Sequence, residues 1–222
     1  GTLTVSGSGA YIGLSKAHNG GEDGSPADNT ITYLVESLDA ENMVLDIEAG
    51  SGVWWRFRLT KEAVETSPVD GTWVITPEAG SLGVGPTQGD ISWWSIDAAG
   101  VDQRSCYFDD TYVFSGGSFS NVLGSETWLE GWQGVDADGC GAPIAPHDGS
   151  NPATFVYDEA AGTLTVSGSG AYIGLPKAHN GGEDGMPVND TTTYLVNLID
   201  ANTMIIDIEA GSGVWWTYSL TK

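Results

Sequence analysis

Tryptophan is the residue type in this chain best suited to binding a ligand, and it occurs nine times in 222 residues. A flat indole packs on the apolar face of a pyranose ring, while polar groups at its rim bind the sugar hydroxyls. Four tryptophans lie in or beside irregular stretches, where strand alternation does not bury them. One or two of them, lining a cleft with a nearby polar residue, would form a sugar-binding site. The candidates are Trp93, Trp94, Trp128, Trp132, Asp90, Gln133 and His147. The alternative is that these indoles plug a barrel end or hold the loops together.

A second candidate platform is the Trp-Trp pair of the last strand. Because neighbouring strand residues point to opposite faces, Trp216 is expected in the core and Trp215 on the outer face. Trp54 holds the position of Trp215 in a second copy of this sequence, where Arg56 follows on the same face. An outward tryptophan among polar residues predicts a sugar-stacking surface at Trp54 and Trp215. The alternative is that a loop or an adjacent repeat covers it.

Carboxylates on glycine-containing turns are the candidate metal ligands. They are Asp136 and Asp138 in one turn, and Glu183 and Asp184 in another. Oxygen-rich turns suit Ca²⁺, although the EF-hand spacing is absent and acidic turns are commonly just solvated. The three histidines have no partner at zinc-ligand spacing. We therefore expect no obligatory cofactor, with Ca²⁺ as the metal that these turns could bind.

Sequence signals of catalysis are weak. The chain contains no G-x-S-x-G, H-E-x-x-H or Walker motif. Glu126 and Glu130 are four residues apart, but on a strand or loop this spacing does not create the carboxylate pair of a glycoside hydrolase. We therefore predict that the chain is not an enzyme.

A long internal repeat determines the domain organisation. Residues 1–61 and 162–222 align without a gap and differ at only 16 of 61 positions, so the offset is 161 residues. This period is too long for a solenoid unit of about 20–50 residues and corresponds to a whole domain. We predict the C-terminal half of a preceding repeat at 1–61, a linker at 62–70 and a complete repeat at 71–222. The missing strands of the half-repeat could come from upstream sequence, from a neighbouring molecule or from packing on the complete repeat.

The hydrophobic pattern predicts an all-β fold without helices. Apolar residues alternate, and turn residues recur every 8–12 positions. The complete repeat should contain about eight strands, near residues 72–76, 105–114, 118–122, 154–158, 163–167, 192–198, 203–209 and 214–220. Short turns between consecutive strands favour an antiparallel meander, either a barrel or a β-sandwich. Long loops at about 77–104, 123–153 and 168–190 are expected to carry the binding function.

Composition limits the partners and the compartment. The chain has 30 acidic and 7 basic residues and a net charge of −23, which disfavours binding to nucleic acid or to anionic membranes. No apolar run approaches the ~20 residues of a membrane-spanning helix, so we expect no membrane insertion. Cys106 and Cys140 would form a disulfide in an extracellular chain, whereas two buried thiols are the alternative.

Two resemblances follow from particular motifs. The Gly-Thr-Trp opening at residues 71–73, followed by about eight meander strands, resembles the G-x-W start of lipocalin-like domains and implies an up-and-down barrel. A larger set of segments, from GTWVITPEAGSLGVGPTQGDISWWS through CYFDDTYVF and GSFSNVLGSETWLEGWQG to GTLTVSGSGAYIGLPKAHNGGE, resembles an accessory module. Such modules accompany family 16 glycoside hydrolases of the laminarinase type in secreted proteins of marine Bacteroidetes. The catalytic E-x-D-x-x-E motif is absent, so the resemblance implies an extracellular location and glycan binding, not hydrolysis.

Three functions are compatible with these features. The first is a non-catalytic, extracellular repeat that binds a neutral polysaccharide such as a β-glucan. The second is a structural or adhesive repeat of a cell-surface stalk or filament, in which tryptophans contact adjacent repeats of the same protein. The third is a lipocalin-type carrier, which the large inward-facing side chains disfavour because they would fill a small barrel.

Overall fold

The computed structural model describes residues 1–22, 26, 29–61, 67–183 and 186–222. The chain divides into two compact units, an N-terminal unit of Gly1–Val64 and a C-terminal unit of Glu65–Lys222. Of the predicted linker, residues 62–66 lie outside the described residues. The remainder, residues 67–70, forms a turn in which the N–H of Ser67 donates to the Asp70 carboxylate at 2.9 Å.

The N-terminal unit is a four-stranded antiparallel sheet. Its strands are β1 (Thr2–Ser6), β2 (Thr30–Leu38), β3 (Asn42–Glu48) and β4 (Trp54–Thr60), paired in chain order. Alternation along β2 and β3 points every second side chain to one face. That face carries the small core of this unit, which includes Ile31, Tyr33, Leu45 and Ile47.

The C-terminal unit is built on a closed antiparallel barrel of eight strands. In chain order the strands of this unit are β5 (Gly71–Ile75), β6 (Leu82–Gly85), β7 (Trp94–Ser95), β8 (Thr111–Ser115), β9 (Ser118–Val122), β10 (Thr127–Leu129), β11 (Gly139–Gly141), β12 (Ala153–Asp158), β13 (Thr163–Ser167), β14 (Thr191–Asp200), β15 (Thr203–Glu209) and β16 (Trp215–Thr221). The barrel order is β5-β8-β9-β12-β13-β14-β15-β16, and β16 pairs back onto β5. The predicted all-β meander is confirmed, and closure identifies a barrel, not a sandwich.

The remaining strands extend this barrel locally. β6 continues along β16 where β5 ends, and β7 pairs with β6. β10 and β11 form a separate two-stranded sheet. The long loops therefore contain more regular structure than the hydrophobic pattern predicted.

Two short helices overturn the prediction of a chain without helices. α1 (Ala98–Gln103) begins after Asp97, whose carboxylate accepts a hydrogen bond from the N–H of Gly100. α2 (Ser105–Phe108) replaces the first part of the strand predicted at 105–114. Its residues Cys106, Tyr107 and Phe108 are all buried, which a strand with one solvent-facing side does not allow.

Large side chains fill the interior of the barrel. The most buried include Trp73, Tyr112, Phe114, Tyr194 and Tyr218, each no more than 1% exposed. They alternate with outward-facing residues along their strands, as the 2-residue period of a strand requires. The interior is therefore a packed core of the kind that the large inward-facing residues predicted.

The two copies of the repeated sequence form equivalent strands. β1 pairs with β2 in the register Thr2–Leu34, and β13 pairs with β14 in the register Thr163–Leu195, which is the same pairing offset by 161 residues. β3 pairs with β4, and β15 with β16, in matching registers. The N-terminal unit thus has the four strands that close the barrel of the C-terminal unit.

Cys106 and Cys140 form the predicted disulfide. The bond links α2 to β11, two elements separated by 34 residues in sequence. Through the pairing of β11 with β10, it fixes Trp128, which lies opposite Cys140. The disulfide therefore holds two of the long loops together.

Candidate binding site

The barrel topology places the long loops at one end. Consecutive strands of an antiparallel meander run in opposite directions, so connections alternate between the two ends. The segments 76–110, 123–152 and 168–190 all leave from the same end, which we call the loop end. The described connections between barrel strands at the other end are the short turns 116–117, 159–162 and 201–202. All candidate tryptophans of the C-terminal unit therefore belong to the loop end.

Residues 171–175, which we call the plug segment, run across the loop end and are all buried. The hydroxyl of Tyr194 accepts from the N–H of Ile173 at 2.8 Å and donates to its C=O at 3.1 Å. The Tyr112 hydroxyl makes the same pair of bonds with Gly174, at 3.1 Å and 3.4 Å. Burial raises the pKa of both tyrosines, which keeps the hydroxyls protonated. Among the described residues, the plug segment and the large buried side chains occupy space that a carrier would keep open for its ligand.

Three of the predicted ligand residues line one pocket at the loop end. Trp132, Gln133 and His147 surround a space of about 240 Å³. Its other walls are apolar and are formed by Ile144, Ala145, Pro146 and Met186. We call it the Trp132 pocket. Its combination of an aromatic face, apolar walls and a few polar groups is the usual composition of a small-ligand or sugar site.

Trp132 and His147 are held in place by aromatic and polar contacts. The two rings are 5.5 Å apart with their planes at 76°, and the His147 ring lies 5.9 Å from that of Tyr172. The indole N–H of Trp132 donates to Glu130 at 3.2 Å. Trp132 is nevertheless 37% exposed, so part of its ring remains accessible to a ligand.

The charge state of His147 suits an uncharged ligand. Burial lowers the pKa of His147 below its ordinary value, and the nearby Asp148 opposes this shift only in part. The imidazole is therefore neutral at pH 7. A neutral imidazole has one donor and one acceptor nitrogen, which matches a sugar hydroxyl that can both accept and donate.

A second exposed aromatic area lies on the loop following β6. Trp93 is 57% and Trp94 40% exposed. Asp90 organises the turn before them, since its carboxylate accepts from the N–H of Ser92 at 2.7 Å. Hydrogen bonds from the hydroxyl and the N–H of Ser92 together lower the pKa of Asp90. Asp90 thus shapes the loop that presents the two tryptophans, neither of which lines the Trp132 pocket.

Trp128 differs from the prediction that it lines an open cleft. It is only 5% exposed, in β10, and the guanidinium of Arg104 covers its ring at 4.4 Å. The same guanidinium lies 5.5 Å from the ring of Trp94. Trp128 therefore packs beneath Arg104 and does not line the Trp132 pocket, so we do not include it in the candidate site.

The paired tryptophans of the last strands have different environments in the two units. In the C-terminal unit Trp216 is buried, as predicted, and Trp215 is half-buried opposite Gly85 of β6. In the N-terminal unit Trp54 is 53% exposed. An accessible indole at this position is thus found in the N-terminal unit, whereas Trp215 is flanked by a strand.

The candidate metal ligands that the structure describes do not converge. In the parts of the chain that the structure describes, no three His, Cys, Asp or Glu side chains are grouped as a metal site. Asp138 accepts a hydrogen bond from the N–H of Gly131 at 2.9 Å, and Glu183 accepts one from the indole of Trp216. Asp136 is exposed, and Asp184 lies outside the described residues.

One positively charged side chain at the loop end, that of Lys177, was not predicted from the sequence. The ammonium of Lys177 lies 3.1 Å from the carboxylate of Glu130 and 5.2 Å from the ring centroid of Trp216. Glu130 also accepts from Trp132, so Lys177 supports the wall of the Trp132 pocket through this carboxylate. Lys177 and Glu130 are 47 residues apart, and no local pattern relates them.

Comparison with known proteins gives no identification, since neither a family model nor a curated protein matches the sequence. The resemblance to Bacteroidetes accessory modules therefore remains a prediction. Among the described helices, none combines the length and apolarity needed to cross a bilayer.

Proposed function

We propose that this chain is a non-catalytic, extracellular module that binds neutral polysaccharide of the β-glucan type by aromatic stacking. The observation that carries the proposal is the Trp132 pocket. Trp132, Gln133 and His147 were selected as candidates from sequence, and in the folded chain they line one space. Trp132 supplies the stacking face, whereas His147 and Gln133 supply hydrogen bonds.

The charges of the chain favour a neutral ligand over an anionic one. A net charge of −23 repels sulfated or uronate-rich chains and nucleic acid. Gln133 and the neutral His147, which supply the hydrogen bonds of the pocket, carry no charge that would compensate. A neutral glycan, by contrast, loses nothing in approaching an acidic surface.

Trp93 and Trp94 provide a second contact area for an extended polysaccharide. Both are exposed at the loop end, from which the Trp132 pocket also opens. If the 161-residue offset is the period of a longer array, several such modules would bind one polymer at high effective concentration. Weak stacking at each site would then give useful affinity.

Isothermal titration of the full chain tests the proposal. The ligands are a soluble β-1,3-glucan, a neutral α-glucan and an anionic polysaccharide. We expect saturable binding of a neutral glucan and none of the anionic chain. Trp132→Ala should weaken binding about two- to tenfold, since an aromatic contact contributes about 0.5–1.5 kcal/mol. Trp132→Tyr should restore much of it.

Tyr11→Ala is the matched control, because Tyr11 is an exposed aromatic residue of the N-terminal unit and is not among the candidate ligand-binding residues. Its affinity should stay close to that of the unmodified chain. A folded chain that binds no neutral glucan would refute the proposal. Equal binding by Trp132→Ala would refute the assignment of the pocket.

A second candidate function is a structural or adhesive repeat of a cell-surface stalk or filament. The observation that favours it is the exposure of apolar residues in the N-terminal unit, including Tyr11 at 49% and Leu14 at 38%. Contiguous exposed apolar surface commonly marks a protein interface. In this function, adjacent repeats would cover that surface. Electron microscopy of longer arrays should then show rods with a regular repeat, whereas flexible beads would count against a stalk.

A further inference from the structure

The same sequence is buried in one unit and exposed in the other. Tyr172 and Leu175 are 4% and 2% exposed, whereas their counterparts Tyr11 and Leu14 are 49% and 38% exposed. Because the residues are identical, the difference arises from what packs on them. In the C-terminal unit the cover comes from residues 67–161, a segment that the sequence contains once, next to two copies of the 61-residue repeat.

Three contacts show how this segment covers the plug segment. The side chain of Asn121 donates to the C=O of Tyr172 at 2.8 Å and accepts from its N–H at 3.5 Å. The ring of His147 lies 5.9 Å from that of Tyr172. The carbonyl oxygen of Pro146 is so close to Gly170 that a Cβ there would lie 1.8 Å away. Gly170 is therefore a point of close approach between the two halves of the barrel.

The corresponding place in the N-terminal unit is an open pocket of about 420 Å³, with Gly9, Ala10 and Tyr11 in its wall. Gly9 is the counterpart of Gly170, yet a Cβ on Gly9 would meet nothing within 4 Å. The pocket thus lies where the C-terminal unit holds the carbonyl of Pro146. Five of its seven lining residues are identical to their counterparts in the C-terminal unit, and only Ser15 and Ile31 differ.

The strand edges match as well. In the barrel, β13 pairs with β12 along all five of its residues, and β1 has the same sequence, Thr-Leu-Thr-Val-Ser. β16 pairs with β5 and β6, and its counterpart β4 keeps both tryptophans, the leucine and the threonine. β1 and β4 are the outer strands of the N-terminal sheet. Outer strands with free hydrogen-bonding groups are templates for strand addition.

We propose that the N-terminal unit is an acceptor for a second copy of residues 67–161, which completes it to a closed eight-stranded barrel. The added segment places its Pro146–His147 loop over Gly9 and Tyr11 and pairs its outer strands with β1 and β4. This inference rests on the stalk or filament function and names the partner of its exposed surface. Glycan binding is independent of it, because the Trp132 pocket lies in the C-terminal unit.

The stoichiometry of the chain explains why a second copy is needed. The sequence contains two acceptors and one segment that can fill them. That segment already completes the C-terminal barrel, so moving it to the N-terminal unit would open one barrel to close another. A further copy removes this competition.

The experiment joins a second copy of residues 67–161 directly to Gly1 of the full chain, which recreates the junction between Ala161 and Gly162. Hydrogen exchange is measured at the amides of residues 10–14. We expect exchange there to slow at least about tenfold relative to the original chain, because residues 10–14, the counterpart of the plug segment, become covered. The C-terminal barrel in the same molecule serves as an internal reference for folding.

Two variants of the extended chain discriminate docking from general stabilisation. In Gly9→Asn, the asparagine tolerates the positive φ of 74° at this position. Its side chain, however, would collide with the Pro146 carbonyl of the added segment. It should remove the protection at residues 10–14. Gly52→Asn should retain it, since φ is 76° there and neither Gly52 nor its counterpart Gly213 has a neighbour within 4 Å of a Cβ.

Unchanged exchange at residues 10–14 in a molecule whose C-terminal barrel is protected would overturn the proposal. Equal protection in the Gly9→Asn variant would overturn the docking geometry. Protection without end-to-end assembly of longer arrays would support the acceptor and refute only the stalk. Loss of glucan binding would leave these results untouched.

Discussion

The hydroxyl of Thr127 donates a 2.6 Å hydrogen bond to the carboxyl group of Asp110, deep beneath the loop end of the barrel. Asp110 is 1% exposed, and its other oxygen has no hydrogen-bond partner among the described residues. Burial raises the pKa of Asp110 to about 8, and the bond from Thr127 opposes this shift only in part. Asp110 is therefore mainly protonated in the folded chain at pH 7.

The pH dependence of stability follows from this pKa. In the unfolded chain Asp110 has an ordinary pKa near 3.8, so between about pH 4 and pH 8 the folded state binds one more proton. The contribution of protonated Asp110 to the free energy of unfolding is fully present below about pH 4 and is lost as the pH rises through 8. The free energy of unfolding should thus fall by up to about 1.4 kcal/mol per pH unit in this range.

Asp110→Asn should remove this dependence and stabilise the chain at pH 7. The amide can accept from Thr127 and is neutral in both the folded and the unfolded chain, so no proton has to be bound on folding. Urea unfolding at several pH values between about 5 and 8 measures the difference between variant and original chain, which should widen as the pH rises. Asp102→Asn is the control for net charge, since Asp102 is exposed and does not contribute to the pKa shift of Asp110. Parallel pH profiles for the original chain and Asp110→Asn would contradict the assignment.

The second prediction concerns the hydroxyl that anchors the plug segment. Tyr194→Phe removes the partner of both the N–H and the C=O of Ile173, which is fully buried. Leaving buried backbone groups unpaired costs about 1–3 kcal/mol each, so we expect a clear loss of stability. Hydrogen exchange at the Ile173 amide should accelerate accordingly.

The repeat supplies a matched control for this change. Tyr33 makes the same two bonds with Ile12, at 2.9 Å and 3.1 Å. Ile12 is only half-buried, so water can replace the lost hydroxyl. Tyr33→Phe should therefore cost less than Tyr194→Phe. Equal costs would mean that the cover over the plug segment adds nothing to these hydrogen bonds.

Strand alternation predicted most of the barrel because each strand has one buried and one solvent-facing side. The strands predicted at 118–122, 163–167 and 203–209 have these bounds in the structure. The prediction at 105–114 was wrong in its first part, since a short apolar run does not distinguish a strand from a buried helix. The helix at Ser105–Phe108 is fixed by the disulfide from Cys106 to a distant strand.

The candidate site was predictable only in its residue types. Trp128 and Trp132 lie four residues apart, and the sequence predicts both equally as candidate ligand-binding residues. Arg104, 24 residues before Trp128, covers one and leaves the other accessible. Pocket walls such as Met186 also come from a loop distant in sequence. Long-range contacts of this kind depend on how the loops pack and leave no local pattern.

The third prediction concerns the lysine that connects Glu130 to Trp216. Lys177→Met keeps the aliphatic stem but removes the ion pair at 3.1 Å and the cation over the indole at 5.2 Å. Glu130 is only 12% exposed at its side chain, so its charge would be left poorly solvated. We expect the free energy of unfolding, measured with urea, to fall by about 1–2 kcal/mol and ligand binding in the Trp132 pocket to weaken.

Lys16→Met tests the same position in the N-terminal unit. There the ammonium is 4.0 Å from Glu22, and both side chains are substantially exposed. Exposed ion pairs contribute about 0–1 kcal/mol, so this variant should change stability less. If Lys16→Met and Lys177→Met had the same effect, the ion pair with Glu130 would not be the cause.

The last prediction concerns the disulfide at the loop end. Replacing Cys106 and Cys140 together by serine removes a cross-link across 34 residues, which should lower stability by about 4 kcal/mol through loop entropy. The loss should concentrate in α2, β10 and β11, and hydrogen exchange should show the barrel strands less affected. Because Trp128 lies opposite Cys140, its near-ultraviolet circular dichroism should weaken in the same variant. A double variant with unchanged stability and an unchanged Trp128 signal would show that packing of Arg104 on Trp128, not the disulfide, holds these loops together.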